Sequence, residues 1–245
     1  MPAFFIDSST IHGDRVTITG GLGHHLRASL RVQIGQTVWL TDEQRNRYHA
    51  KVTEITPAEL TAHIQDRVRG PDETCPRILL AQALLKGDHM DWIIQKATEL
   101  GAYGIVPLIT RRGVVRPQVT RISGQVSRWQ RIALEAAQQS EQWHVPEIEP
   151  PRDSRQFFMD RAAPLKLILA ERAESESLRT LPLGSDPQDI IVVAIGPEGG
   201  WSTNELTLAA EQGFRSTTLG PGILRSETAS LAALTILQSR LGRLG

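Results

Sequence analysis

The sequence predicts an α/β protein in two parts, a β-rich region over residues 1–72 and an α/β region with a mostly parallel sheet over residues 73–245. Three observations predict it. Short alternating apolar runs, separated by Gly, Asp and Asn, fill the N-terminal part. Beyond Pro76, apolar runs alternate with stretches of helical period. Two of those runs, 167–170 and 190–195, are apolar throughout, as strands buried on both faces are.

In chain order, the strand candidates of the first part are 15–19, 37–40, 48–55 and 59–64. One helical turn at 24–30 interrupts them and places Arg27 and Arg31 a turn apart. Gly70-Pro71-Asp72 reads as a linker. A strand at 77–83 opens the second part. Asp88 stands where it can cap a helix carrying Met90, Ile93, Ile94, Ala97 and Leu100 on one face, closed by Gly101. Residues 103–109 form the next strand. An amphipathic helix over 121–139 turns Ile122, Val126, Trp129, Ala133 and Ala136 inward. Strands at 165–170 and 190–195 follow. Ser202 and Glu205 have the spacing of a capping box, opening a helix that ends at Gly213. A strand at 215–219 and a helix at 227–241 complete the series.

Composition narrows the function classes. With 40% hydrophobic and 22% charged residues the chain is ordinary for a globular protein, and its apolar runs are too short to cross a bilayer. The N-terminus carries no secretory pattern, so a cytoplasmic location is expected. Cys75 is the single cysteine, which excludes an internal disulfide and a multi-cysteine zinc site; no metal is expected. A net charge of +0 offers no global argument for a nucleic-acid partner. The distribution is more informative than the sum. Arg111, Arg112, Arg116, Arg121, Arg128 and Arg131 follow one another without an acidic residue between them, and Arg27, Arg31, Arg45, Arg47 and Lys51 form a looser group. Such groups neutralise phosphates or simply solvate a face, and the two readings stand level here.

Several motifs are absent: a P-loop, a complete dinucleotide fingerprint around Gly21-Leu22-Gly23, and a Gly-x-Ser-x-Gly elbow. His24-His25 are chain neighbours that point apart, not a metal pair. Two loops stand out instead. Ile195-Gly196-Pro197-Glu198-Gly199-Gly200 and the stretch from Leu219 to Ala229 each lead from a predicted strand into a helix. In open α/β sheets ligands bind at such carboxyl ends, and glycine lets the main chain approach them.

The segments IGPEGGWSTNEL and LGPGILRSETASLAAL, with LLKGDHMDWIIQKATELG, RWQRIALEAAQQS and HHLRASLR, resemble the small-subunit ribosomal RNA methyltransferase E (RsmE) family of the SPOUT superfamily. The resemblance covers nearly the whole chain. It implies a PUA-like N-terminal β-barrel that binds RNA, a C-terminal methyltransferase domain with a trefoil knot, and a homodimer. It also implies methyl transfer from S-adenosylmethionine to N3 of a uridine in 16S ribosomal RNA. Alternatives that keep the fold are methylation of another RNA nucleotide, or a non-catalytic RNA-binding protein of ribosome assembly.

By the same resemblance the cofactor is held by Leu169, Ala170 and Glu171, by Ile195, Gly196, Pro197, Glu198, Gly199 and Gly200, and by Leu219, Gly220, Ile223, Leu224, Arg225, Thr228 and Ala229. Main-chain groups at Leu219 and Leu224 would read the adenine edge, and Ile195, Ile223 and Leu224 would cover its faces. Arg225 is the candidate for stabilising the uridine anion, with Glu227 and Glu198 as candidate proton acceptors. His25, Arg27, Arg31, Arg111, Arg112 and Arg116 are the candidate RNA contacts. The chain departs from the family pattern at Gly222, at Thr110-Arg111-Arg112-Gly113 and at Gln142.

Overall fold

Residues 3–170 and 175–244 are described by the computed structural model, in which the chain separates into two units: Met1–Asp72 with Ala137–His144, and Glu73–Ala136 with Val145–Gly245.

In the first unit, period-two alternation makes six strands: β1 (Ala3–Phe5), β2 (Ile11–His12), β3 (Arg15–Ile18), β4 (Thr37–Thr41), β5 (Asn46–Ile55) and β6 (Leu60–Arg69). They form one sheet in the order β1-β4-β5-β6-β3-β2, antiparallel except where β1 runs parallel to β4. Every second residue faces inward, so Val16, Ile18, Val38, Leu40, Tyr48, Ala50, Val52, Leu60 and Ala62 build the core. Leu26 joins them from a π-helical turn, His25–Ser29, that continues the short helix α1 (Gly20–His24). β6 extends past the expected end at residue 64, because its polar outer half is held by ladder pairing to β5 rather than by burial.

Two cations of the looser basic group make contacts within this unit. Arg45 donates to the Pro71 carbonyl at 2.8 Å. Arg47 lies 3.9 Å over the Trp143 ring and donates to the carbonyls of Glu141 and Gln142. Both guanidiniums hold chain segments together, so the looser basic group is smaller than the sequence suggests.

The second unit contains β7 (Arg77–Ala83), α2 (His89–Glu99), β8 (Gly104–Ile109), α3 (Ile122–Gln139, whose last turn belongs to the first unit), β9 (Glu147–Ile148), β10 (Arg152–Asp153), α4 (Ser154–Asp160), β11 (Leu165–Leu169), β12 (Glu176–Ser177), β13 (Ile190–Ile195), α5 (Thr203–Glu211), β14 (Arg215–Thr218) and α6 (Ser226–Arg240). All pairings are parallel, in the order β10-β8-β7-β13-β11-β14-β12, with β9 also against β8. Ile78, Leu80 and Val193 pack with Ile93, Ile94, Trp129, Ala133, Leu234 and Leu237 on one face of the sheet. Leu79, Ala81, Val192 and Ala194 pack with Phe157, Phe158, Trp201, Ala209 and Phe214 on the other. Successive residues of β7 and β13 thus enter opposite cores, which explains their continuous apolar sequence.

The expected Asp88 cap is corrected. Asp88 occupies the N-cap position of α2, but its backbone (φ −85°, ψ 3°) is not extended and its carboxylate accepts no capping hydrogen bond. The Ser202–Glu205 capping box is present with both reciprocal bonds.

Candidate active site

Parallel pairing puts the carboxyl ends of all these strands on one edge of the sheet. There, β13, β11 and β14 are consecutive neighbours, so the loops leaving Ile195, Leu169 and Thr218 emerge side by side. The two conspicuous glycine loops, separated in sequence, flank the end of β11.

Three hydrogen bonds knit this edge together. The Trp201 indole N–H donates to the Leu169 carbonyl at 3.0 Å, tying the loop after β13 to the end of β11. Ala170 N–H donates to the Thr217 carbonyl at 3.1 Å, tying β11 to β14. The Ser226 hydroxyl, at the start of α6, donates to the Gly196 carbonyl at 2.6 Å. Gln82, fully buried near the end of β7, donates from its amide nitrogen to the Ser226 hydroxyl at 3.0 Å and accepts from Ser230. A polar residue following an apolar run within the strand was the sequence signal for Gln82; Ser226, lying within the second loop, had none of its own.

Glycine keeps the contacts tight where the loops touch. A Cβ on Gly196 would lie 3.1 Å from the Trp201 indole nitrogen, and one on Gly199 would lie 3.3 Å from the Arg112 Cβ. Gly200 (φ +66°) and Gly220 (φ +132°) occupy the left-handed region. At Gly200, Gly220 and Gly222 an added Cβ would enter open space, so the main chain there is approachable. Ile223 is 63% exposed beside these glycines, an apolar side chain without a core to enter.

The remaining predicted residues distribute unevenly. Ile195 is 1% exposed and packs into the core, so its side chain cannot cover an adenine face; only its main chain stands at the edge. Pro197 and Ala229 are buried, Glu198 is exposed in the Pro197–Gly200 turn, and Leu219 and Leu224 are half-buried. Arg225 is exposed at the N-cap of α6, with Thr228 exposed in the first turn. A cation at a helix N-terminus opposes the macrodipole, so helix stability does not account for Arg225. Glu227 is 15% exposed, with an oxygen 3.6 Å from His89 Nδ1 at the start of α2. Glu171 lies outside the described residues.

The arginine-rich loop after β8 reaches the same edge. Arg112 donates to the Gly199 carbonyl at 3.2 Å, and Arg116 donates to the carbonyls of Arg111 and Val115. Arg111 N–H donates to the buried Glu205 carboxylate at 2.9 Å. Glu205 also accepts from Ser154 at 2.7 Å and from Ser202 N–H and hydroxyl. Burial pushes its carboxyl up, but these hydrogen bonds outweigh burial and hold it below the usual value. His25, Arg27 and Arg31 belong to the first unit; His25 and Arg31 are exposed and Arg27 is half-buried. Among the described residues no group of three His, Cys, Asp or Glu could hold a metal ion, and no helix is long and apolar enough to cross a membrane.

Residues 72–238 match the RNA methyltransferase domain family, and residues 18–65 match the RNA methyltransferase PUA domain. The chain is 36% identical to ribosomal RNA small subunit methyltransferase E of Synechocystis sp., covering 92% of this chain and 73% of that protein. It is 29% identical to the protein of the same name from Bacillus subtilis, over 90% of this chain and 88% of that one. Among solved structures, a methyltransferase from Legionella pneumophila in complex with the bound cofactor SAM superposes with a TM-score of 0.87 at 30% identity, covering 97% of each chain. Ribosomal RNA small subunit methyltransferase E from Neisseria gonorrhoeae, bound to S-adenosyl methionine, gives a TM-score of 0.83 at 32% identity over 98% of each chain.

Proposed function

The chain belongs to the family of ribosomal RNA small subunit methyltransferase E, and from that premise we propose that it methylates N3 of a uridine in 16S ribosomal RNA. The observation that carries this reading is the convergence of the loops after β13, β11 and β14, joined through Ser226, Gly196, Trp201 and Leu169. Glycines that face open space and an exposed Ile223 suit a flat nucleoside with polar edges. The residues present therefore fit S-adenosylmethionine, held by Leu169 and Ala170, by 195–200, and by 219–229. Bound there, it would supply a methyl group on a positively charged sulfur.

The chain's own residues do the rest. Fixed main-chain groups orient the reactants, an effect able to supply roughly 7–11 kcal/mol. Uridine N3 carries a proton and must lose it to become a nucleophile. Arg225, exposed at the start of α6, stabilises the developing negative charge on the uracil oxygens. Glu227 takes the proton in this reading, since it follows Ser226 directly in the joined region, whereas Glu198 stands exposed at the tip of a turn. Arg111, Arg112 and Arg116 hold the RNA backbone beside the glycine loop. The first unit, with His25, Arg27 and Arg31, adds a second RNA contact; the trefoil knot, homodimer and cytoplasmic location belong to the same reading.

The test is methyl transfer from S-adenosylmethionine to small-subunit RNA, with the product nucleoside identified by mass spectrometry. A 3-methyluridine product is expected. A different methylated nucleoside would replace the assigned base, and no transfer despite cofactor binding would leave a non-catalytic binder.

A further inference from the structure

The sheet of the first unit carries a cross-strand row of polar side chains on its outer face. Register aligns Thr37 of β4 with Lys51 of β5, Lys51 with His63 of β6, His63 with Arg15 of β3, and Arg15 with His12 of β2. Paired residues in a ladder share a face, and all but Thr37 are exposed. At the usual strand spacing the row from Lys51 to His12 spans about 14 Å. Its floor is a groove of about 300 Å³ lined by Arg15, Thr53, Glu54, Thr61, Ala62 and His63. Glu54 lies 3.7 Å from Arg15, which also donates to Thr61, so Arg15 is held in place on this face.

One step along β4 and β5 lies an aromatic pair. Trp39 and His49 face each other in the ladder, their ring centroids 4.6 Å apart and their planes tilted by 32°. Both are half-buried, so each keeps part of its ring in solvent. Arg47, the next outward residue, is occupied by Trp143 and the Glu141 and Gln142 carbonyls, which closes the row on that side.

We infer that this outer face is a binding site for single-stranded RNA, with Lys51, His63, Arg15 and His12 following the phosphates and the Trp39–His49 pair stacking a base. Lys51 and Arg15, with the imidazole hydrogen-bonding groups of His63 and His12 between and beside them, line a groove next to an aromatic platform, the two features that hold a flexible strand without reading its sequence. A duplex would satisfy the cations but could not offer an unstacked base. This surface uses none of His25, Arg27 and Arg31, and it rests on the reading of the first unit as RNA-binding.

The test uses the full chain and fluorescently labelled single-stranded and duplex fragments of small-subunit ribosomal RNA. Trp39→Ala should weaken single-strand binding about tenfold, and Trp39→Phe should restore most of it. Lys51→Ala combined with His63→Ala should weaken binding and flatten its dependence on salt by about one phosphate contact. Cofactor affinity and circular dichroism should not change in any of them. Wild-type affinity in folded variants would overturn the stacking and phosphate roles while leaving the RNA-binding reading intact. Loss of binding to a ribosomal protein, with RNA binding unaffected, would overturn them too. Failure of the wild-type chain to bind either RNA would instead overturn the underlying reading.

Discussion

The Ser226 hydroxyl donates to the Gly196 carbonyl at 2.6 Å, joining two loops that leave different strands. The same hydroxyl accepts from Gln82, which in turn accepts from Ser230, so the contact is the outer end of a buried polar chain. Removing it leaves a main-chain acceptor without its donor, at a cost of about 1–2 kcal/mol. Ser226→Ala should lower the melting temperature by a few degrees and raise the dissociation constant for S-adenosylmethionine, both read by calorimetry. An unchanged dissociation constant would show that the loops hold their relation without this bond.

Two glycines should respond in opposite ways to alanine. Gly196→Ala sets a methyl group 3.1 Å from the Trp201 indole nitrogen, whose N–H holds the Leu169 carbonyl. The indole must move and the joint with β11 must stretch, so cofactor affinity should fall at least about tenfold, or about 1.4 kcal/mol. Gly124, exposed in α3 with nothing within 4 Å of an added Cβ, should gain about 0.5–1 kcal/mol of stability as alanine. Calorimetric titration with S-adenosylmethionine reads the first variant and denaturant titration the second.

How much of this was legible depended on whether the signal was local. The strands 77–83 and 190–195 were readable to the residue, because each side of them enters a core. Ser202 and Glu205 announced their capping box, since both partners lie within one helical turn. Glu205's bonds to Ser154 and Arg111 span 51 and 94 residues and left no trace in the sequence. The two-residue strands β9 and β10 and the short helix α4 were missed for a related reason: pairing with β8 and burial of Phe157 and Phe158 create them, not propensity. The two glycine loops were legible as strand-to-helix connections, and parallel pairing sets them on either side of β11. That Arg45 and Arg47 tie segments of the first unit together was not legible, because their acceptors are main-chain carbonyls that any sequence supplies.

Acid should release the arginine-rich loop. Glu205's carboxyl is held below its ordinary value of 4.5 in the folded chain, despite burial, by Ser202, Arg111 and Ser154. A group depressed in this way contributes stability that is complete above the unfolded value, and that stability is lost as pH falls through the folded value. Glu205→Gln removes the titrating group, so the variant should be less stable at neutral pH and show a flatter loss of stability below pH 4.5. Its affinity for RNA should fall further than its affinity for cofactor, because Arg111 N–H loses a charged acceptor. An acid limb identical to that of the wild type would place the titration elsewhere.

Arg225 separates chemistry from binding. Its guanidinium is exposed at the N-cap of α6, where a cation gains nothing from the helix dipole, and its backbone carbonyl already receives the Ala229 N–H at 2.8 Å. Truncating the side chain therefore leaves the helix start intact. If the guanidinium stabilises the charge that develops on uracil, Arg225→Ala should lower kcat by about 10²–10³ with the cofactor dissociation constant nearly unchanged. Arg225→Lys keeps the charge without the fork that grips two oxygens, and should recover only part of the rate. Glu227→Gln supplies the complement: it should depress the rate most where proton removal limits it, so raising the pH should narrow its gap from the wild type. For Arg225→Ala no such narrowing is expected within the range where uridine stays protonated, because the missing charge is not replaced by hydroxide. Single-turnover rates across pH, with RNA saturating, distinguish the two. A variant at Arg225 that lost cofactor binding in proportion to rate would assign the residue to the pocket and not to the methyl transfer.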